Sequence, residues 1–351
     1  MPSKITASTP YAGLTPEAVL DALDAVGLRG DGRLLQLNSY ENRVFQVFLE
    51  DGSVVVPKFY RPGRWSDTQI LEEHAFSLEL AAAEIPVVAP LVLAAELHGA
   101  LEARVIGEPG TLAHLDTPAD TRLAVMPRRT GQSPELDNDA TLEWIGRFLG
   151  RIHAIGRERT FEHRRSLTVA TYGSASREWL AQHEALPDDA RNLWFSAVDG
   201  ALDAARAAFD ACADVAQIRL HGDCHPGNLL WTPQGPHFVD LDDAVNGPAI
   251  QDLWMLLSGE RASMAQQLRA LLSGYEQFSD FDRRELRLVE PLRTLRMIHH
   301  SAWIAQRWAD PAFPIAFPWS AGSAYWQQQA IQLREQIEAM AEPPLSLRDD
   351  Y

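Results

Sequence analysis

The sequence predicts an α+β protein in two parts, a β-rich first third and a mainly helical remainder. Two observations predict it. Between Arg33 and Val56 the apolar residues form short β-branched and aromatic runs, broken by Asp51-Gly52, a pair suited to a hairpin turn. Beyond Pro127 they recur at three- and four-residue intervals over long stretches, the spacing of one helical face. The expected parts are 1–126 and 127–351.

The first expected element is a helix. Thr15 is a good N-cap and Pro16 suits the first helical position. Leu20, Leu23 and Val26 give one apolar face, and Gly27 ends it. Val44, Phe45, Val47, Phe48 and Leu49 then form a strand, with Val54-Val55-Val56 as its return. Residues 65–84 read as a helix through Ile70, His74, Phe76 and Leu80, stopped by Pro86. Strands are expected around 91–95, 101–105 and 123–126. An amphipathic helix over 142–155 follows, carrying Trp144, Ile145, Phe148, Leu149 and Ile152. Further helices are expected over 176–184, 192–213, 250–258, 263–278 and 323–340.

Composition narrows the class. A chain of 351 residues, 46% apolar and 23% charged, can bury the core of a two-domain or two-lobed protein. With 31 basic against 48 acidic residues the net charge is −17, which argues against a nucleic-acid partner. Cys212 and Cys224 are too few for a disulfide scaffold and lack metal-site spacing, so Cys224 reads as a spectator thiol. Met1–Thr6 lacks the apolar core of a signal peptide, and no run reaches the length of a membrane span. The expectation is a cytoplasmic monomer with no membrane partner.

The chemistry concentrates in His221-Gly222-Asp223-Cys224-His225-Pro226-Gly227-Asn228, followed by Val239-Asp240-Leu241-Asp242. Asp223 and Asn228 stand five residues apart, the Asp-to-Asn spacing of a kinase catalytic loop. In such a loop the Asp accepts the proton of an attacking hydroxyl, and the Asn faces a magnesium ion on the nucleotide phosphates. Asp240, after the apolar Phe238-Val239, is the expected second metal ligand, since Mg²⁺ takes oxygen donors and keeps some waters. A plain polar hairpin accounts for Pro226, Gly227 and Asn228, but not for His221, Asp223, His225 and Asp240 together. The cofactors implied are ATP and Mg²⁺.

Lys58, after the return strand, stands where a kinase lysine grips the α- and β-phosphates. Pro57 before it removes a ladder donor, so the strand should be bulged or unpaired there. Glu72 and Glu73 are both available as the lysine's partner, about 100° apart on a helix. No G-x-G-x-x-G is present. Ser39 and Asn42 can donate to phosphates from the segment 38–43, and Arg43 adds charge, although a simple turn explains this segment equally well. Backbone groups at Met126-Pro127-Arg128 are expected to meet the adenine edge.

HGDCHPGN followed by FVDLDD resembles the aminoglycoside-phosphotransferase and choline-kinase branch of the kinase-like fold, in which HGD replaces HRD. The resemblance runs from about Leu34 to the C-terminus and implies a bilobal protein-kinase-like fold. The blocks 37–44, 246–257 and 307–314 are similar to those of bacterial stress response kinases within that branch. That narrower likeness implies an ATP-dependent Ser/Thr protein kinase acting in stress survival, with proteins, itself included, as acceptors. It also selects Glu73 as the partner of Lys58, makes 38–43 a nucleotide loop and makes Ser39 a candidate autophosphorylation position. Through it, His221 is expected to brace the catalytic loop, and Asp252 to hold that loop in place without touching substrate. Part of the aromatic segment 307–319 is expected to wall the acceptor site. Two other readings stand beside this one. A small-molecule hydroxyl kinase of choline, homoserine or aminoglycoside type would share every catalytic residue, and acids crowding the acceptor pocket would favour it. A nucleotide-binding regulator without turnover is disfavoured by the presence of Lys58, Asp223, Asn228 and Asp240.

Overall fold

The computed structural model describes residues 11, 13–95, 101–117 and 121–347. The leader expectation on Met1–Thr6 lies outside the described residues. The chain divides into two compact units, Met1–Thr130 and Gly131–Tyr351. No helix among the described residues is long and apolar enough to cross a membrane.

The first unit contains α1 (Pro16–Asp24), β1 (Gly30–Gln36), β2 (Arg43–Leu49), β3 (Val54–Phe59), α2 (Asp67–Ala82), β4 (Ala103–Ile106), β5 (Leu112–Leu115) and β6 (Thr121–Pro127). Its six strands form one antiparallel sheet in the order β1-β2-β3-β6-β5-β4. The alternation of side chains along each strand divides the core between two faces. Val19, Leu23 and Val26, on and just after α1, pack with Val47, Val55, Phe59, Leu123 and Val125. Ile70 of α2 packs on the other face with Tyr60, Trp65, Leu112 and Ala124.

Local chemistry explains most of these boundaries. Thr15 accepts from the Ala18 N–H at 3.3 Å, and Pro16 occupies the first turn of α1. Ser66 and Gln69 close a capping box on α2. That helix stops before Pro86, because Glu84 adopts a left-handed conformation with φ 57°. Residues 91–95 form no strand: the Leu91 N–H bonds to Val125 and the Leu93 N–H to Gly110, so no single neighbour offers a ladder. The four-residue β5 is not anticipated from the sequence.

Lys58 lies within β3 rather than after it, and Pro57 causes no bulge. The pairs Val47↔Val55 and Val44↔Lys58 keep one register with β2 on either side of it. The β2 ladder skips Val56 and Pro57, while pairing with β6 runs through Pro57↔Val125. A strand with neighbours on both sides accommodates the missing N–H at such an opening.

The second unit contains α3 (Asp139–Gly156), α4 (Ala175–Gln182), α5 (Asp188–Asp210), β7 (Ile218–Leu220), β8 (Leu229–Thr232), β9 (Gly235–Phe238), β10 (Val245–Gly247), α6 (Gln251–Trp254), α7 (Arg261–Tyr275), α8 (Val289–Gln306), α9 (Ala312–Ala316) and α10 (Ser323–Ala341). α3 packs along α7, and α10 along α5. The first pair meets at backbone distance: a Cβ on Gly146 would lie 1.9 Å from the Leu271 carbonyl oxygen, and one on Gly274 1.9 Å from that of Glu143. The second pair is centred on Trp194, fully buried and edge-on to Trp326 at 5.5 Å. The helix α8 is unanticipated, since Pro291 and a polar His299-His300 interrupt its apolar face. Pro291 sits in the first turn, where a missing N–H leaves no helical bond broken.

Short α6 begins against a buried acid. Glu285 accepts from the Ile250 N–H at 2.8 Å, and burial raises its carboxyl from an ordinary 4.5 to about 7, only partly opposed by that bond. The folded protein keeps this proton to higher pH than the unfolded chain does. The resulting stability is therefore full at low pH and lost as pH rises through about 7. Glu285→Gln removes the titration. Chemical unfolding should show the variant gaining on wild type between about pH 5 and about pH 8, whereas a constant difference would contradict the shifted carboxyl.

Candidate active site

Two loops of the second unit are rooted side by side by a short ladder. β7 pairs with β10 through Leu220↔Val245, Arg219↔Asn246 and Ile218↔Gly247, and β8 pairs with β9. The segment 221–228 leaves β7 and the segment 239–244 enters β10, so residues distant in sequence start from adjacent positions. Gly222 sits where they cross. Its φ is 84°, and a Cβ there would stand 2.2 Å from the Asp243 carbonyl oxygen. A larger residue fits neither the conformation nor the space.

The His221–Gly222 backbone is clamped by α6. Asp252, fully buried, accepts from the His221 N–H on one carboxylate oxygen and from the Gly222 N–H on the other, both at 2.8 Å. Gln251 Nε2 donates to the Gly222 carbonyl at 2.9 Å, and Trp254 Nε1 donates to Gln251 Oε1 at 3.0 Å. Behind Asp252, His153 Nε2 lies 3.1 Å from Oδ2, and His153 Nδ1 lies 2.9 Å from the Tyr275 hydroxyl. Burial raises the Tyr275 pKa, so that hydroxyl stays protonated. His221 Nε2 donates to the Val239 carbonyl at 2.9 Å, tying the first loop to the second. Arg164, also buried, donates to the carbonyls of Ala244 and Asp242 and fixes the second loop.

Asp223 and Asn228 come together as the sequence expects. Asn228 Nδ2 donates to the Asp223 carbonyl at 2.9 Å, which leaves its Oδ1 as the oxygen donor. Asp240 is exposed at a left-handed backbone position with φ 59°, at the start of the turn Leu241–Asp243. The donor set of one amide and one carboxylate oxygen suits a hard cation that completes its shell with phosphate and water. Among the described residues no group of three or more His, Cys, Asp or Glu gathers into a metal cluster.

The Asp223 carboxylate has partners on both oxygens. Arg296 of α8 donates to Oδ1 at 2.5 Å, and His225 Nε2 lies 3.5 Å from Oδ2. Burial works to raise this carboxyl, but His225 and the Arg296 charge outweigh it and hold the group well below the usual range. Cys224 is buried, and burial with the nearby Asp252 and Asp223 charges raises its thiol, which stays protonated. Sequence reasoning missed Arg296, Gln251 and Arg164. Arg293, Arg296 and His300 do share helical spacing, but only a recognised α8 would have made that a signal.

In the first unit, Lys58 is 6% exposed and pairs across the sheet with Ala124, so it faces α2 together with Tyr60 and Ala124. Glu73 lies on the buried face of α2 at 4% exposure and accepts from the Ser77 hydroxyl at 2.8 Å, whereas Glu72 is half-buried. Met126 lies in β6, packed against the same cluster. Ser39 is half-buried between β1 and β2. Asn42 is buried and accepts from the Arg61 N–H at 3.2 Å, fastening the segment 38–43 to the end of β3. The Arg61 side chain adds bonds to the carbonyls of Tyr40 and Glu41, and the Arg43 guanidinium lies 4.6 Å from the Tyr11 ring centre. Arg61 thus clamps a loop that has no G-x-G-x-x-G.

The two units, their sheet and their loop chemistry define a phosphotransferase, and the chain belongs to the phosphotransferase enzyme family, matched over residues 33–289. Within that family it is 44% identical to stress response kinase A of Salmonella choleraesuis over 97% of this chain and 98% of the relative. The serine/threonine protein kinase RdoA of Salmonella typhimurium is similar to the same degree, 44% over the same shares. Among solved structures, an amicoumacin kinase in complex with AMP-PNP, Ca²⁺ and amicoumacin has a TM-score of 0.68 at 19% identity, covering 95% of each chain, a likeness of fold.

Asp252→Asn tests the clamp. An amide of the same shape would turn an NH₂ toward one of the two buried N–H groups, costing about 1–3 kcal/mol of unfolding free energy. Phosphate transfer should fall with it, and full activity in a destabilised variant would contradict the clamp.

Proposed function

We propose that the protein transfers the γ-phosphoryl group of ATP, with Mg²⁺, to serine and threonine hydroxyls of proteins, its own included, in a bacterial stress response. The observation that carries this reading is the β7–β10 ladder, which roots Asp223 and Asn228 on one loop beside Asp240 on the other. Near-full-length similarity to a named serine/threonine kinase supports the acceptor class, which the catalytic residues alone leave open.

Asp223 orients the acceptor hydroxyl and takes its proton as that oxygen attacks phosphorus. Its ionised state is maintained by His225 and Arg296. Asn228 Oδ1 and the Asp240 carboxylate are the ligands for Mg²⁺, which when bound neutralises charge on the phosphate oxygens. Lys58 anchors the α- and β-phosphates with Glu73 as its counter-charge, because a buried ammonium needs an acid close by. Ser39, Asn42 and Arg43 belong to the loop that covers the phosphates, and backbone groups near Met126 meet the adenine. The protein acts as a monomer.

Transfer from γ-labelled ATP tests this, with wild type, Asp223→Ala and Lys58→Ala, each alone, with a protein acceptor and with a panel of amino alcohols and sugars. Label is expected on protein serine or threonine. Asp223→Ala should lose about 10²–10⁴-fold in turnover, and Lys58→Ala should raise the KM for ATP. Label confined to a small alcohol would overturn the protein acceptor and keep the site.

A further inference from the structure

Next to Asp223, within the second unit, lies a recess of about 360 Å³ whose wall includes His225, Trp254, Ser258, Arg293 and Arg296. Arg296 and His225 are the two side chains that also contact the Asp223 carboxylate, so the recess adjoins the group that orients the acceptor hydroxyl in the proposed reaction. Among the described residues no carboxylate lines it, whereas two guanidinium groups do. The nearby acids are paired with those arginines. Asp223 meets Arg296 Nη1 at 2.5 Å, and Glu290 meets Arg293 Nη1 at 2.9 and 3.1 Å.

The arginines retain donors. Arg296 has a side chain 44% exposed, and its Nε and Nη2 make no hydrogen bond among the described residues. Arg293 lies 5.5 Å from the Trp254 ring centre, which steadies the guanidinium plane at the recess wall. Guanidinium groups bind carboxylates through paired N–H bonds, and a cationic acceptor would meet like charge.

We infer that this recess is an acceptor subsite for an acidic side chain, Asp or Glu, flanking the serine or threonine to be phosphorylated, with Arg296 and Arg293 as its specificity determinants. This rests on the protein-kinase reading above. A flanking carboxylate in the recess gives Arg296 a second anion to bind. It also sets the neighbouring hydroxyl beside Asp223. Acceptors carrying amines, by contrast, are disfavoured at this point.

The test uses the full chain and matched serine peptides in which Glu, Gln or Lys is scanned through the flanking positions. Binding is read by fluorescence anisotropy on versions with the serine replaced by alanine, and turnover by phosphate transfer. Wild type should bind one Glu register about tenfold more tightly than its Gln counterpart. Arg296→Gln and Arg293→Gln should each shrink that ratio towards one with unfolding midpoints near wild type, and Arg293→Glu should shift preference towards Lys. An absent Glu preference in wild type, or one that survives in both glutamine variants, would overturn the subsite. Turnover without any acid preference overturns it while keeping the kinase reading. Acid-selective, arginine-dependent binding without turnover keeps the subsite and sinks the kinase reading.

Discussion

One buried carboxylate organises the loops of the second unit. Asp252 spreads its two oxygens over two consecutive backbone N–H groups, those of His221 and Gly222, so the peptide that launches the segment 221–228 is fixed in position and orientation. A fully buried carboxylate is costly unless hydrogen bonds satisfy it. Here they do, and the same bonds place Asp223 one residue further on. What supports Asp252 is correspondingly elaborate. His153 reaches it from α3, Tyr275 holds His153 from α7, and glycines let those two helices approach at backbone contact. Glu285 receives the first N–H of the α6 region that carries it.

The rest of the site follows from that anchor. With Gly222 pinned at its N–H by Asp252 and at its carbonyl by Gln251, the loop can cross within contact of Asp243, and only glycine fits the crossing. His221 and Arg164 fasten the second loop by its carbonyls, and Asp240 within it is exposed. Polar side chains here bond mostly to backbone. That is how two irregular loops acquire the rigidity that phosphoryl transfer demands, since catalysis of this kind rests on positioning. A chain of net charge −17 also keeps arginines at this centre, on Asp223 and on the recess beside it.

Legibility in the sequence follows the range of each interaction. The meeting of Asp223 and Asn228 was readable because their spacing is short and chemically specific. The α1 caps and the Asp51-Gly52 hairpin were readable because they are local. Asp252 was reached only through resemblance, since its bonds to His221 and Gly222 span 31 and 30 residues. Arg296 on Asp223, 73 residues away, had no local signal at all. Pro57 was readable in part: the ladder to β2 is unpaired there, as a missing donor requires, but without a bulge and with the pairing to β6 kept. The segment 91–95 misled because apolar residues alone do not reveal that its N–H groups find two different partners. That Glu73 lies on the packed face of α2 and Glu72 is half-buried is a fact of packing that local sequence does not carry.

The most direct measurement is a crystal structure of the protein with a non-hydrolysable ATP analogue and Mn²⁺, the ion located by anomalous scattering. The expected result is an ion held by Asn228 Oδ1 and the Asp240 carboxylate and bridging to phosphate oxygens, with the Asp252 bonds to His221 and Gly222 intact. An ion bound to other protein groups, or a catalytic loop that has left Asp252 when the nucleotide is bound, would contradict the account.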